Sequence, residues 1–144
     1  MDTDRLTGNE AGIAFGICIP NFRRGTGPET MLAATQTAER LGWHSALATD
    51  HILADGSARA RDYRHIYEAL ASIAWLAGQT TTIRLGMSVL VVPMRNALVL
   101  AKELATIDAL SDGRLIAGVG IGWNRTEFES LGTGERFAHR GAYL

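Results

Sequence analysis

The stretch Ser111-Asp-Gly-Arg-Leu-Ile-Ala-Gly-Val-Gly-Ile-Gly-Trp-Asn-Arg-Thr-Glu-Phe-Glu-Ser-Leu-Gly132 reads in unbroken order as a helix end, a buried strand, a glycine-lined strand mouth and the start of a new helix. A strand that runs straight into a helix through a glycine-rich mouth belongs to a parallel sheet. The carboxyl ends of such strands are where α/β proteins bind small molecules, because loops and helix N-termini present unpaired N–H groups there.

Working outward, the same unit recurs. Ile13-Ala-Phe-Gly-Ile-Cys-Ile19 is an apolar run closed by Pro20, expected to be a strand buried on both faces, with Cys18 as an inert buried thiol. Pro28 and Glu29 suit a first helical turn. Met31, Leu32, Ala34, Ala38 and Leu41 then follow at helical spacing up to Gly42. Ser45 to Asp50 is a second strand, followed by a polar loop to about Arg61 with Asp55-Gly56 as its turn. Ile66, Tyr67, Leu70, Ile73, Ala74 and Ala77 predict a helix stopped by Gly78. Thr82 to Val92 reads as one β-branched strand ended by Pro93, Ala97 to Leu110 as a helix, and Arg136 to Tyr143 as the beginning of another helical segment.

Strand and helix alternating about every 35 residues imply parallel crossovers, so the class is α/β with about four units. Two architectures share this signature. One is an open doubly wound sheet, whose strand order reverses after the first strand; the other is part of a (β/α) barrel, which closes only with eight units. Periodicity does not separate them.

At 144 residues the chain fits one domain, with residues 1–11 as a polar, flexible N-terminus. A hydrophobic content of 47% with a net charge of -1 excludes a disordered chain and gives no electrostatic support for nucleic-acid or membrane binding. The first ten residues lack a secretory apolar core and no apolar run reaches membrane-spanning length. The single cysteine, Cys18, rules out an internal disulfide. A cytoplasmic protein is expected.

The polar residues of interest all follow a strand and precede its helix. Asp50-His51 ends the second strand, where an imidazole can exchange a proton and the adjacent carboxylate can orient it or cap the loop. On pattern alone Ser88 is strand filler. Gly118, Gly120 and Gly122 either let a flat ring approach the backbone or answer tight packing at a barrel mouth. Trp123 either covers a ligand or plugs the core, and Glu127 and Glu129 are expected to stabilise the first turn of their helix. His44, His65 and His139 show no metal-ligand spacing, and no metal site is expected. Arg59, Arg61 and Arg64 read as a solvated loop, with an anionic ligand as the alternative.

Taken together, Thr49-Asp-His51, Gly86 to Pro93, Ala101 to Leu115 and Gly118 to Phe128 closely resemble the bacterial luciferase-like monooxygenase family, and within it the coenzyme F420-dependent oxidoreductases. The resemblance runs from about Ile13 to Leu144 and implies the N-terminal half of a TIM-like barrel. It implies an enzyme that moves a hydride between F420 and a small organic substrate, with FMN as the alternative cofactor. His51 would handle the proton and Asp50 would lie beside the cofactor ring and tune the histidine. Ser88 and Val89 would back the ring at a bulge with a non-prolyl cis peptide. Gly120, Ile121 and Gly122 would line its edge, and Thr126 would contact the cofactor. The family's sugar-phosphate dehydrogenases carry a carboxylate where this chain has Trp123, so their substrate is not expected. Four units alone would leave unpaired edges. A truncated or split form is therefore expected, its other half barrel missing or supplied by a second copy or a second chain. The alternative outside catalysis is a half-barrel fragment or assembly module.

Overall fold

The computed structural model describes residues 13–58 and 60–144, so the expectation for residues 1–11, and Arg59, lie outside the described residues. In chain order the elements are β1 (Gly16–Cys18), α1 (Pro28–Arg40), β2 (Ser45–Ala48), a 3-10 turn (Arg61–Arg64), α2 (Ala69–Ala77), β3 (Arg84–Met87), β4 (Leu90–Val91) and a second 3-10 turn (Val92–Met94). There follow α3 (Ala97–Leu110), β5 (Leu115–Ile116), β6 (Val119–Gly120), α4 (Arg125–Ser130) and a 3-10 segment (Gly134–Tyr143) kinked at His139.

β1, β2, β3 and β5 form one parallel sheet in that order, and β4 pairs with β6, also parallel. β3–β4 and β5–β6 are thus two long strands, each interrupted once. The order is sequential, with no reversal after the first strand, which is the arrangement of a (β/α) barrel segment and not of a doubly wound sheet.

Register shows which face the helices cover. Ile17, Ala46, Leu85 and Leu115 stand in one row across the sheet and pack with Met31 and Ala38 of α1, Ile73 and Leu76 of α2, and Leu100 and Ile107 of α3. The row on the other face is Cys18, Leu47, Gly86 and Ile116. Among the described residues no helix lies over it, and Cys18 is exposed. β1 is accordingly not buried on both faces and the Cys18 thiol is not buried, contrary to expectation: a parallel strand is covered twice only when both faces have a layer. Gly86 sits in this row because strands approach closely there; a Cβ on it would fall 2.6 Å from the Ile116 Cβ.

Local chemistry sets the helix bounds. Asn96 caps α3, its side-chain oxygen accepting the Leu98 N–H at 3.0 Å and the Val99 N–H at 3.2 Å, a contact class worth about 1 kcal/mol. At the other end Asp112 and Gly113 adopt left-handed φ values of 58° and 74°. α2 starts three residues later than the apolar spacing suggests. Ile66 is drawn into an antiparallel bridge with Phe22, and the Tyr67 N–H donates to the Asn21 carbonyl at 2.8 Å. The strand expected over Thr82 to Val92 is broken after Met87, where the Ser88–Val89 peptide is cis, as the resemblance implies. At the opposite end of the sheet Arg114 donates to the carbonyls of Ala77, Thr80, Ile83 and Ser111, tying α2 to the starts of β3 and β5.

Candidate active site at the strand mouths

The carboxyl ends of β2, the β3–β4 junction and β6 meet at one place. The Ser88 N–H donates to the Ala48 carbonyl at 2.9 Å and the Leu90 N–H to the Gly118 carbonyl at 2.7 Å. Asp50, His51, Ser88, Val89, Gly120, Ile121 and Gly122 are therefore gathered on adjacent strand ends. Thr126 stands apart. It is exposed on the first turn of α4, and among the described residues its side chain makes no hydrogen bond.

Asp50 and His51 are chain neighbours with separate partners. The buried Asp50 carboxylate accepts the Val91 N–H at 2.9 Å and Arg95 Nη2 at 2.7 Å; Arg95 also reaches Glu68 at 2.9 Å. Burial pushes the Asp50 carboxyl up, against the opposing pull of Arg95 and the Val91 amide. Burial would lower Arg95, but Asp50 and Glu68 outweigh it and hold the guanidinium charged. Asp50 thus ties the end of β2 to β4 and does not orient the histidine beside it.

The carboxylate that meets His51 is Glu127. Its Oε2 lies 2.9 Å from His51 Nδ1, and both side chains are buried. Its Oε1 accepts the N–H groups of Ile52 and of Leu53, the latter at 3.0 Å. Glu127 is in the first turn of α4, as expected, but it turns away from its own helix end to clamp the loop after β2. A carboxylate only accepts, so the network assigns the proton of neutral His51 to Nδ1 and leaves the lone pair on Nε2. Aromatic rings flank the imidazole: Tyr63 with its centroid 4.2 Å away and Trp123 edge-on at 5.4 Å.

The strand-four glycines have a packing reason. A Cβ on Gly118 would collide with the Met87 carbonyl; on Gly120 it would fall 2.4 Å from Val89 Cγ2; on Gly122, at φ +75°, 2.6 Å from Val91 Cγ1 and 3.1 Å from the Phe128 ring. Glycine at 120 gives Val89 its place, and Val89 stays 44% exposed beside Ile121 at 37%. An apolar surface against bare backbone at a strand mouth fits one side of a flat ring.

Sequence reading did not single out Asn21, Arg95 or Tyr63. Asn21 is fully buried, its side chain accepting the Thr49 N–H and donating to the carbonyls of Thr49 and Tyr67, which sets the height of the Asp50-His51 turn. An asparagine directly after a strand-ending proline was the available signal. Among the described residues no group of three or more His, Cys, Asp or Glu could hold a metal, and no helix is long and apolar enough to cross a membrane.

Comparison with known proteins places this geometry. An F420-dependent glucose-6-phosphate dehydrogenase of Intrasporangium calvum is 34% identical over 101 residues, covering 67% of this chain and 28% of that protein. The coenzyme F420-dependent tetrahydromethanopterin reductase of Methanopyrus kandleri superposes with a TM-score of 0.64 at 26% identity, over 83% of this chain and 30% of that one. The oxygenating constituent of 3,6-diketocamphane monooxygenase from Pseudomonas putida, solved with FMN, shares the fold at a TM-score of 0.67 and 19% identity, over 83% of this chain and 32% of that one. The chain spans from a quarter to under half the length of the curated relatives it matches. The family model of the luciferase-like monooxygenases matches residues 13–144, essentially all that the fold describes, and the chain belongs to that family.

Proposed function

We propose that the chain carries the ring-facing, proton-handling part of a site that transfers a hydride between coenzyme F420 and a small organic substrate. The buried His51–Glu127 pair carries this reading, because the carboxylate fixes the imidazole through Nδ1 and leaves Nε2, which bonds to no group among the described residues, beside an apolar strand mouth. Val89, Gly120 and Ile121 would hold one side of the ring, in a cradle that a Cβ at Gly120 would fill. When bound, the deazaflavin supplies the hydride acceptor or donor. His51 Nε2 takes or returns the substrate hydroxyl proton, Glu127 stabilises the imidazolium so formed, and the Asp50–Arg95 pair keeps the two strand ends together. F420 is preferred over FMN because of the residues that resemble its branch and the identity to relatives named for it.

Within the described residues β1 pairs only with β2, and β5–β6 only with β3–β4, so both outer edges are open. Further β/α units, from a second copy or another polypeptide segment, would close the sheet, cover the Cys18-to-Ile116 row and complete the cofactor's grip.

Fluorescence titration of the 144-residue chain with F420, with FMN as competitor, tests the reading. Saturable F420 binding that FMN displaces poorly, and that Val89→Glu abolishes, supports it. Preferential FMN binding moves the protein to the flavin branch, and binding of neither cofactor favours a non-catalytic half-barrel module.

A further inference from the structure

A second concave surface is formed by loops that reach the candidate site through Tyr63. Between the loop after β1 and the turn before α2 is a cleft of about 580 Å³ lined by Arg23, Arg24, Arg61, Asp62, Arg64 and His65. Four guanidiniums less one carboxylate leave a local charge of +3, in a chain whose net charge is -1. Asp62 is taken up by Arg23 at 3.1 Å. Arg24, Arg61 and Arg64 form no ion pair with any described residue. Like charges converging on one cavity repel, and an anion in the cavity relieves that repulsion.

The walls of the cleft are fixed. Asn21 and Phe22 of one loop bind Tyr67 and Ile66 of the other through backbone hydrogen bonds and an antiparallel bridge, and the Phe22 and Tyr63 rings stack at 5.4 Å. Arg23 lies 5.2 Å above the Phe22 ring with φ at +81°, a left-handed conformation that a non-glycine residue keeps only when its surroundings hold it there. Backbones are pinned while the guanidiniums stay exposed. The arginines are exposed, as the solvated-loop expectation from sequence has it, and in addition they converge on one cavity. Tyr63, between Arg61 and Arg64, connects the cleft to the site: one face of its surroundings is Phe22, the other His51.

We propose that this cleft is an oxyanion site that takes the phosphate of a phosphorylated small molecule and sets the rest of that molecule toward His51. Guanidinium forks match phosphate oxygens in geometry, and a multiply charged group balances the local +3 better than a monoanion does. The proposal deepens the hydride-transfer reading and rests on it for the orientation toward His51; the charge of the cleft is independent of any cofactor. It concerns the group held by the loops and does not depend on what stands at Trp123. The phosphate has two sources, a substrate or the cofactor's own phosphate.

The test is calorimetric titration of the 144-residue chain with inorganic pyrophosphate at low ionic strength. One-site saturable binding is expected, weakened about tenfold or more in Arg61→Gln/Arg64→Gln with an unchanged Tm, because both side chains are exposed. Arg40→Gln, outside the cleft at the end of α1, should bind as the wild type does. No saturable binding by the wild type, an unchanged affinity in the double variant, or an equal loss in Arg40→Gln overturns the proposal. Cofactor titration of the same double variant separates the sources: lost cofactor affinity assigns the phosphate to the cofactor, and retained affinity assigns it to the substrate. A wild-type chain that binds pyrophosphate in the cleft but neither F420 nor FMN removes the hydride-transfer reading alone.

Discussion

His51 and Glu127, 76 positions apart in the chain, meet through a 2.9 Å hydrogen bond with side-chain exposures of 6% and 2%. The contact joins the loop after β2 to the first turn of α4 across the mouth of the sheet, so one glutamate sets the ring position, the tautomer and the adjacent backbone together.

Replacing that glutamate by its amide should move the proton. In Glu127→Gln the side-chain carbonyl can still accept the Ile52 and Leu53 amides, while its NH2 faces His51 Nδ1, which must then accept. Histidine 15N shifts should show His51 passing from the Nδ1-protonated to the Nε2-protonated tautomer, with a stability loss of about 1–3 kcal/mol. An unchanged tautomer in the variant would contradict the assignment. If His51 handles the proton as proposed, hydride-transfer rates should fall about 10²-fold or more with a smaller change in KM, and Glu127→Asp should restore part of the rate.

Asp50 should behave as a structural anchor. Asp50→Asn leaves Arg95, 14% exposed, with only Glu68 as an anionic partner, and should cost about 3–5 kcal/mol in urea denaturation. The double variant Asp50→Leu/Arg95→Met should be less destabilised than the sum of its single changes, since no buried charge is left unpaired: Glu68, which loses Arg95, is 38% exposed and still accepts the Ala71 N–H. Strict additivity would mean that the pair is not coupled.

Two glycines with the same backbone should differ in cost. Gly113 has φ +74° with open space where a Cβ would sit, so Gly113→Ala should cost about 1–2 kcal/mol from conformation alone. Gly122 has φ +75° and would also press a Cβ onto Val91 and Phe128, adding about 1–3 kcal/mol for overpacking. Equal melting shifts for the two variants would show that the strand mouth is looser than its contacts imply.

Glu39 should govern part of the acid limb. Burial raises its carboxyl, but the amides of Thr82, Ile83 and Thr81 and the Thr82 hydroxyl outweigh it and hold it below the ordinary value. A depressed folded value means that the stabilisation is complete above the unfolded pKa, about 4.3, and disappears as pH falls through the folded value. The stability gap between wild type and Glu39→Gln should therefore be constant at neutral pH and close below about pH 4. A gap independent of pH would place the effect elsewhere.

Much of the architecture was legible in the chain because local signals there agree with the fold. α3 begins at Ala97 and ends at Leu110 as read, since an asparagine cap and an Asp-Gly left-handed turn bound it chemically. Elsewhere a distant partner overrode the local signal. Ile66 and Tyr67 keep helical spacing, yet their backbone is claimed by Asn21 and Phe22. Cys18 sits in an apolar run, yet its exposure depends on whether anything covers the inner face of the sheet, which no property of residues 13–19 encodes.

The α/β class, the strand and helix succession, the glycine-lined mouth and the family are all written in the chain, because periodicity, caps and turns are properties of neighbouring residues. Tertiary structure alone decided the sequential strand order, the partnership of Asp50 with Arg95 and of His51 with Glu127, and the convergence of two arginine loops on one cleft. The physical reason is that hydrogen bonds and charges act over a few ångströms of space, whatever the distance along the chain. Asp50 is adjacent to His51 in sequence, but its side chain found a guanidinium 45 residues away, and the histidine found its carboxylate farther still.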